Sequence, residues 1–312
     1  MSDRSALIVS LDFELGWGVL DSPLWKQREK EGLYRRMRAV LARVHDFLIE
    51  RECATTWAAV GSMFVEDPQQ IELDHLPASY ASSVRTFLKE AEPATRDARD
   101  LMERWDRLRA FTEVASHTST HLYAGFPGVT GAQYQADVAQ SLTQLERHFD
   151  EPVRSLVFTR DQADYLNEVL TLRPLHVRLG PSTYRTARPG RAHRVLRGLR
   201  RYVESVPASR VEAQAQGASS QSGSMYFNWV GGDFALAKRV QVGLQAKRVL
   251  RGLARGDEAY HLWLHPFNLA ESPALCERFL SFLDQAVRLR DAGRTRILTM
   301  SDFARLKLSQ SC

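Results

Sequence analysis

The 312-residue sequence predicts an α/β fold, a distorted or incomplete TIM-like (β/α)7 barrel. Three observations carry this. Short apolar runs alternate along the chain with segments of helical periodicity, the pattern of βα units and a parallel sheet. Reactive side chains fall at or just past the ends of four of those runs, where such barrels place their chemistry. The length and the 44% hydrophobic content suit one large core.

Residues 6–11 (ALIVSL) form an unbroken apolar run with β-branched residues, the signature of a strand buried on both faces. From 33 to 48, Leu33, Met37, Val40, Leu41, Val44, Phe47 and Leu48 recur at helical spacing between charged residues, giving an amphipathic helix. Residues 54–60 (ATTWAAV) read as a second strand. Residues 65–110 are polar and mostly helical in character, a long insertion, and 111–116 (FTEVAS) return to strand. Tyr134, Val138, Leu142, Leu145 and Phe149 mark another helix face. Short strands follow at 155–158, 175–178 and 260–264, then a helix at 275–289 and a last strand at 296–298. The Gln-, Ala-, Ser- and Gly-rich stretch at about 211–224 reads as a flexible loop. No internal repeat is visible, and residues 1–312 read as a single domain.

Several classes are disfavoured. No run of eighteen apolar residues exists, and the N-terminal apolar run is too short for a signal peptide, so a cytoplasmic protein is expected. Cys53, Cys276 and Cys312 are odd in number and far apart, which offers neither a disulfide framework nor a metal spacing. The net charge of +5 permits anionic partners, but there is no zinc finger or aromatic-basic interleaving, so nucleic acid is not expected.

Two clusters carry chemistry. Asp12 and Glu14 are two residues apart at a strand end, so in extended chain they point the same way. Two carboxylates on one face repel unless a cation joins them, although two solvated acids would share this spacing. His117 and His121 are four apart, so two imidazoles meet on one side of a helical turn. Two His and one carboxylate make a facial set that leaves positions for water and substrate.

Read together, Leu11-Asp12-Phe13-Glu14, His117-Thr118-Ser119-Thr120-His121, Phe158-Thr159-Arg160 and Leu262-Trp263-Leu264-His265 resemble the motifs of the polysaccharide deacetylase (NodB-homology, carbohydrate esterase family 4-like) family, in that order along nearly the whole chain. Thr299 to Phe303 also looks like that family's closing strand and helix start. The first motif resembles the branch with a D-x-E spacing, as in deacetylases of O-antigen and surface-polysaccharide assembly. The resemblance implies a metal held by Glu14, His117 and His121, with Asp12 as catalytic base, Arg160 paired to that base and His265 as general acid. The roles of Asp12 and Glu14 are exchangeable on the motif alone. Arg160 is followed by Asp161-Gln162 rather than the family's usual proline. The family's Asp that orients the acid histidine has no evident counterpart, and Asp161, Asp164 and Asp233 are the candidates.

The implied reaction is metal-dependent removal of an N-acetyl group from an amino sugar of a surface polysaccharide, O-antigen or its precursor. The implied cofactor is one divalent ion, with zinc the default and Co, Ni, Fe or Mn open. The implied partner is an N-acetylated sugar, nucleotide sugar or lipid-linked saccharide. Trp17 and Asn268 are candidate substrate contacts. A same-fold hydrolase of a small non-sugar amide, imide or formamide is the alternative, and a deep pocket capped by the 65–110 insertion would favour it. An inactive barrel used for binding is the third class. Residues 185–202 carry seven Arg with Val195, Leu196, Leu199 and Tyr202 between them, a stretch that suits an anionic membrane surface at the inner face.

Overall fold

The computed structural model describes residues 5–180, 206–230, 235–256 and 258–310. The basic stretch 185–202 and Asp233 lie outside the described residues, as does Cys312. Strands β1 (Ser5–Phe13), β2 (Thr55–Ala59), β3 (Thr112–Ser116), β4 (Ser155–Val157), β5 (His176–Leu179), β6 (Val211–Ala213), β7 (Ser219–Ser222), β8 (Met225–Tyr226), β9 (Ala259–Leu264) and β10 (Thr295–Leu298) form one curled, mostly parallel sheet, an open and distorted barrel. The expected strands and helices fall where the apolar periodicity put them, with ends moved by a few residues.

The 211–224 stretch departs from expectation. It is not a loop outside the sheet. Ser219–Ser222 pair with β5, and the same segment continues into Met225–Tyr226, which pair with β9. One short segment therefore spans the seam between the two sides of the barrel. Its polar residues are not solvated: Ser219, Ser220 and Gln221 are buried, which polar side chains tolerate only when hydrogen-bonded. β6 is the one antiparallel strand among those described.

β1 organises the rest. Residues 6–11 pair with β9 on one edge. The other edge is shared, by β10 along Ser5–Ile8 and by β2 along Ser10–Phe13. Alternation sorts its side chains. Leu7, Val9, Leu11 and Phe13 join the large cluster under the helices, with Met37, Leu41 and Val44 of the helix Leu33–Arg51. Ala6 and Ile8 face the other way, into a smaller cluster with Ala58, Ala115 and Val157. Met300 and Phe303 of the helix Met300–Ser309 complete that cluster. The same face continues with Ser10 and Asp12. Along β1 the interior face thus runs from apolar at the N-terminal end to polar at the C-terminal end.

Capping fixes the outer helices. Thr130 and Gln133 form a reciprocal capping box at the start of Gly131–Phe149. Ser272 caps Pro273–Asp291, which has Pro at its first position, and Thr299 caps Met300–Ser309. No helix among the described residues is long and apolar enough to cross a membrane.

Candidate active site

Glu14, His117 and His121 meet at the C-terminal end of β1 and β3. Glu14 Oε2 lies 2.9 Å from His121 Nε2 and 3.6 Å from His117 Nε2, and all three residues are buried. One ligand atom from each lies within 4.8 Å of the others. His117 Nδ1 is 2.8 Å from the Val157 carbonyl, so the proton sits on Nδ1 and the Nε2 lone pair faces the cluster. Two imidazoles and a carboxylate turned toward one point are a fitting donor set for a divalent ion of the zinc class.

The backbone is bent to achieve this. Leu15, Thr118, His121, Arg160 and Asp161 all have φ between 45° and 62°, a left-handed conformation that costs non-glycine residues and concentrates at functional sites. The loop between the two histidines is tied on every side. Asp137, buried in Gly131–Phe149, accepts the Ser119 and Thr120 backbone N–H groups at 3.1 Å and the Thr120 hydroxyl at 3.0 Å. Tyr80 of the insertion donates to the Thr120 carbonyl of the loop, and His75 reaches Asp137 Oδ1 behind it. Gly18 makes room for the Glu14 carboxylate, because a Cβ there would collide with Glu14 Oε1.

Asp12 stands beside the cluster, but Arg160 does not pair with it. Arg178 does, donating from NH1 to Oδ1 at 2.6 Å and from NH2 to Oδ2 at 2.7 Å. This corrects the sequence expectation. Arg160 turns outward, with NH2 3.0 Å from Asp21 Oδ1 and its guanidinium 3.5 Å from the Tyr123 ring centroid. Arg160 follows a strand that ends early, at Val157, and its positive φ aims the side chain at the rim. Arg178 is 1% exposed and lies inside β5, on the inward face. Burial alone would raise the Asp12 pKa, but the Arg178 guanidinium outweighs it and holds the carboxyl below its usual range.

Arg178 is held from behind by a chain of buried polar groups. It donates to Ser10 Oγ at 2.9 Å, and Ser10 Oγ is 2.8 Å from His261 Nε2. Gln221 Nε2 donates to His261 Nδ1, and Gln221 Oε1 is 2.7 Å from His176 Nε2. Ser219 Oγ closes the chain 2.7 Å from His176 Nδ1. Both histidines are neutral: burial pushes His176 down to about 4 and His261 well below the ordinary value. The chain therefore puts no second cation beside Arg178.

His265 faces Asp12 and Glu14 from β9, its Nε2 4.0 Å from Asp12 Oδ2 and 3.7 Å from Glu14 Oε1. Its Nδ1 is 3.0 Å from the Tyr226 hydroxyl, which donates to Asn268 Oδ1 at 3.0 Å. With the hydroxyl proton committed to Asn268, His265 Nδ1–H donates to Tyr226 and Nε2 is the end that faces the carboxylates. Among the described residues the group on His265 Nδ1 is a tyrosine, and neither Asp161 nor Asp164 takes that place. Asp161 instead accepts from Arg178 NH2 at 3.3 Å, and Asp164 lines the neighbouring cleft.

The two candidate substrate contacts are otherwise employed. Trp17 is 1% exposed, packs edge-on against Phe87 and donates Nε1–H to the Arg96 carbonyl, so it is core. Asn268 is buried and serves Tyr226. Trp263 is the aromatic that reaches the site. It lines the cavity of about 220 Å³ formed with Asp12, Glu14, His117, His121 and His265. A larger cleft of about 920 Å³ adjoins it, sharing Arg160, Asp161, Trp263 and His265. No residue of 65–110 lines either.

The fold has close counterparts among solved structures. A provisionally assigned polysaccharide deacetylase from Mycobacterium smegmatis superposes with a TM-score of 0.62 at 13% identity, over 100% of this chain and 92% of that one. The fold is that of the polysaccharide deacetylases. A similarly provisional polysaccharide deacetylase from Pseudomonas aeruginosa PAO1 gives 0.59 at 13% identity, over 97% and 90% of the two chains. PuuE allantoinase gives 0.59 at 12% identity over the same shares. No family profile matches the sequence, and no curated protein does. In this deacetylase fold the metal-type cluster stands at the C-terminal ends of the strands.

Proposed function

We propose that the protein is a metal-dependent amide hydrolase that removes an N-acetyl group from an amino sugar of a surface polysaccharide, O-antigen or its precursor. The observation that carries this is the placement of the Glu14–His117–His121 cluster between an ionised Asp12 and the Nε2 of His265. Asp12 is the base and Glu14 the ligand, because Asp12 has both oxygens engaged by Arg178 while Glu14 Oε2 faces two imidazoles.

A divalent ion held by Glu14, His117 and His121 would lower the pKa of water and polarise the scissile carbonyl. Zinc is the default for this donor set. Asp12 takes the proton of the attacking water, and Arg178 keeps that carboxylate ionised and aimed until it does. His265, carrying a proton on Nε2 as well as the Nδ1–H held by Tyr226, would give the Nε2 proton to the departing amine, which leaves poorly without it. Tyr226 holds the ring by its other nitrogen. Trp263 forms the apolar wall beside the reacting group, and the larger cleft lined by Asp164, Arg210 and Glu212 takes the polar remainder of a saccharide.

A second reading, hydrolysis of a small non-sugar amide, draws on the fold shared with the allantoinase. The insertion does not line the cavities, as that reading would have it. The test is acetate release from a panel of N-acetylated nucleotide sugars, lipid-linked saccharides and oligosaccharides, run beside small cyclic and linear amides. Turnover confined to the N-acetyl sugars supports the proposal, and turnover confined to the small amides replaces it with the second reading.

A further inference from the structure

The helix Ala235–Arg255 takes no part in the site chemistry. It carries Lys238, Arg239, Lys247, Arg248, Arg251 and Arg255 and no Asp or Glu. One side packs into the core through Val242, Ala246, Val249 and Leu253. The other side presents Leu236, Val240 and Leu244, at 77%, 51% and 43% exposure. These are three of the four exposed large hydrophobics among the described residues, and their i, i+4, i+8 spacing puts them on one stripe. Arg239, Lys247, Arg251 and Arg255 are exposed around and beyond that stripe.

The charge of the whole chain is segregated in the same way. The stretch 185–202 adds seven Arg and no acid. Without the 13 cations of these two stretches, 29 of the 42 Lys and Arg remain against 37 Asp and Glu, so the rest of the protein is net negative by 8. The helix belongs to the site end of the barrel in chain order. The helix follows β8 and leads into β9, which are parallel, so it runs back along them and its N-terminal half, with Leu236, Val240 and Leu244, is at the strands' C-terminal end.

An exposed apolar stripe set among cations of one sign suits an anionic bilayer: apolar side chains enter the acyl boundary and cations meet the headgroups. A soluble polyanion would need the charge but not the stripe. We propose that this helix face docks on an anionic lipid surface, with the open end of the barrel toward the headgroups. The proposal is independent of the reaction assigned above.

The experiment is co-sedimentation of the full chain with phosphatidylcholine vesicles, with and without phosphatidylglycerol. Sedimentation only with phosphatidylglycerol is expected, weakened by salt and about tenfold weaker for the double variant Val240→Glu, Leu244→Glu. An unchanged melting temperature shows that this variant is folded. Should it melt early, Leu236→Ser with Leu244→Ser removes the stripe without adding charge and is expected to weaken binding too. Failure of the wild-type chain to bind phosphatidylglycerol vesicles at low salt overturns the proposal. Equal binding by stripe variants and wild type also overturns it, leaving charge attraction alone.

Discussion

Arg178 grips Asp12 through both guanidinium nitrogens, at 2.6 and 2.7 Å, from inside a strand on the far side of the barrel interior. The pair is buried, so neither member can turn to water if the other is lost. Removing one partner of such a pair costs about 3–5 kcal/mol, far more than the intact pair contributes. Arg178→Gln is therefore expected to lower the melting temperature markedly and to cut turnover by about 10²–10⁴-fold, the usual worth of a positioned base. Arg160→Gln, which breaks the contacts with Asp21 and Tyr123 but leaves Asp12 and its partner in place, should cost less in both. Thermal melts and steady-state rates on the two variants decide between the arginines.

Tyr226 is the group that orients His265. Tyr226→Phe keeps the ring and removes the acceptor for His265 Nδ1–H, a bond worth about 1 kcal/mol. The expected result is roughly a fivefold fall in kcat with KM little changed. His265→Ala should fall by about 10²–10⁴-fold. Equal losses in the two variants would show that Tyr226 does more than orient.

Gly18 is the close neighbour of the Glu14 carboxylate. Gly18→Ala pushes a methyl into Glu14 Oε1 and should displace that carboxylate. Metal affinity measured by titration of the metal-stripped chain is expected to fall by about 10–100-fold, as when a ligand loses its support. Unchanged affinity would mean that the space left by Gly18 does not set the position of the Glu14 carboxylate.

His176 makes stability depend on pH. Its folded pKa is about 4 against an ordinary value of 6.5, because burial disfavours the charged ring. Below 6.5 the unfolded chain binds a proton that the folded chain refuses, so stability is fully present above 6.5 and is lost as pH falls toward 4. The loss from this group is about 3 kcal/mol at the lower end. His261, also depressed, adds to the same slope. His176→Gln should flatten the melting temperature between pH 6.5 and 4, and an unchanged slope would place the acid sensitivity elsewhere.

Much of this was legible in the sequence because periodicity and motif act locally. Asp12 and Glu14 share a face because a strand alternates, and His117 and His121 converge because their loop is short. What was not legible depends on distant pairing. Arg178 interrupts an apolar run, Leu175 to Leu179, and a lone cation there had to find a buried anion. That was the available signal, and nothing local says that Asp12 is the partner. The Ser- and Gln-rich 211–224 stretch reads as solvated because composition cannot see that Gln221 lies between two histidines inside the barrel. Trp17 follows the acidic motif and reads as a substrate contact, yet the insertion covers it through Phe87 and Arg96.

The central claim is that Glu14, His117 and His121 hold one divalent ion on which hydrolysis depends. The most direct measurement is bound metal per chain together with acetate release, on wild type and His121→Ala purified without chelator. One metal per wild-type chain is expected, lost in the variant along with acetate release. Absence of metal from the wild-type chain even after reconstitution with zinc, cobalt, nickel, iron or manganese would contradict the account.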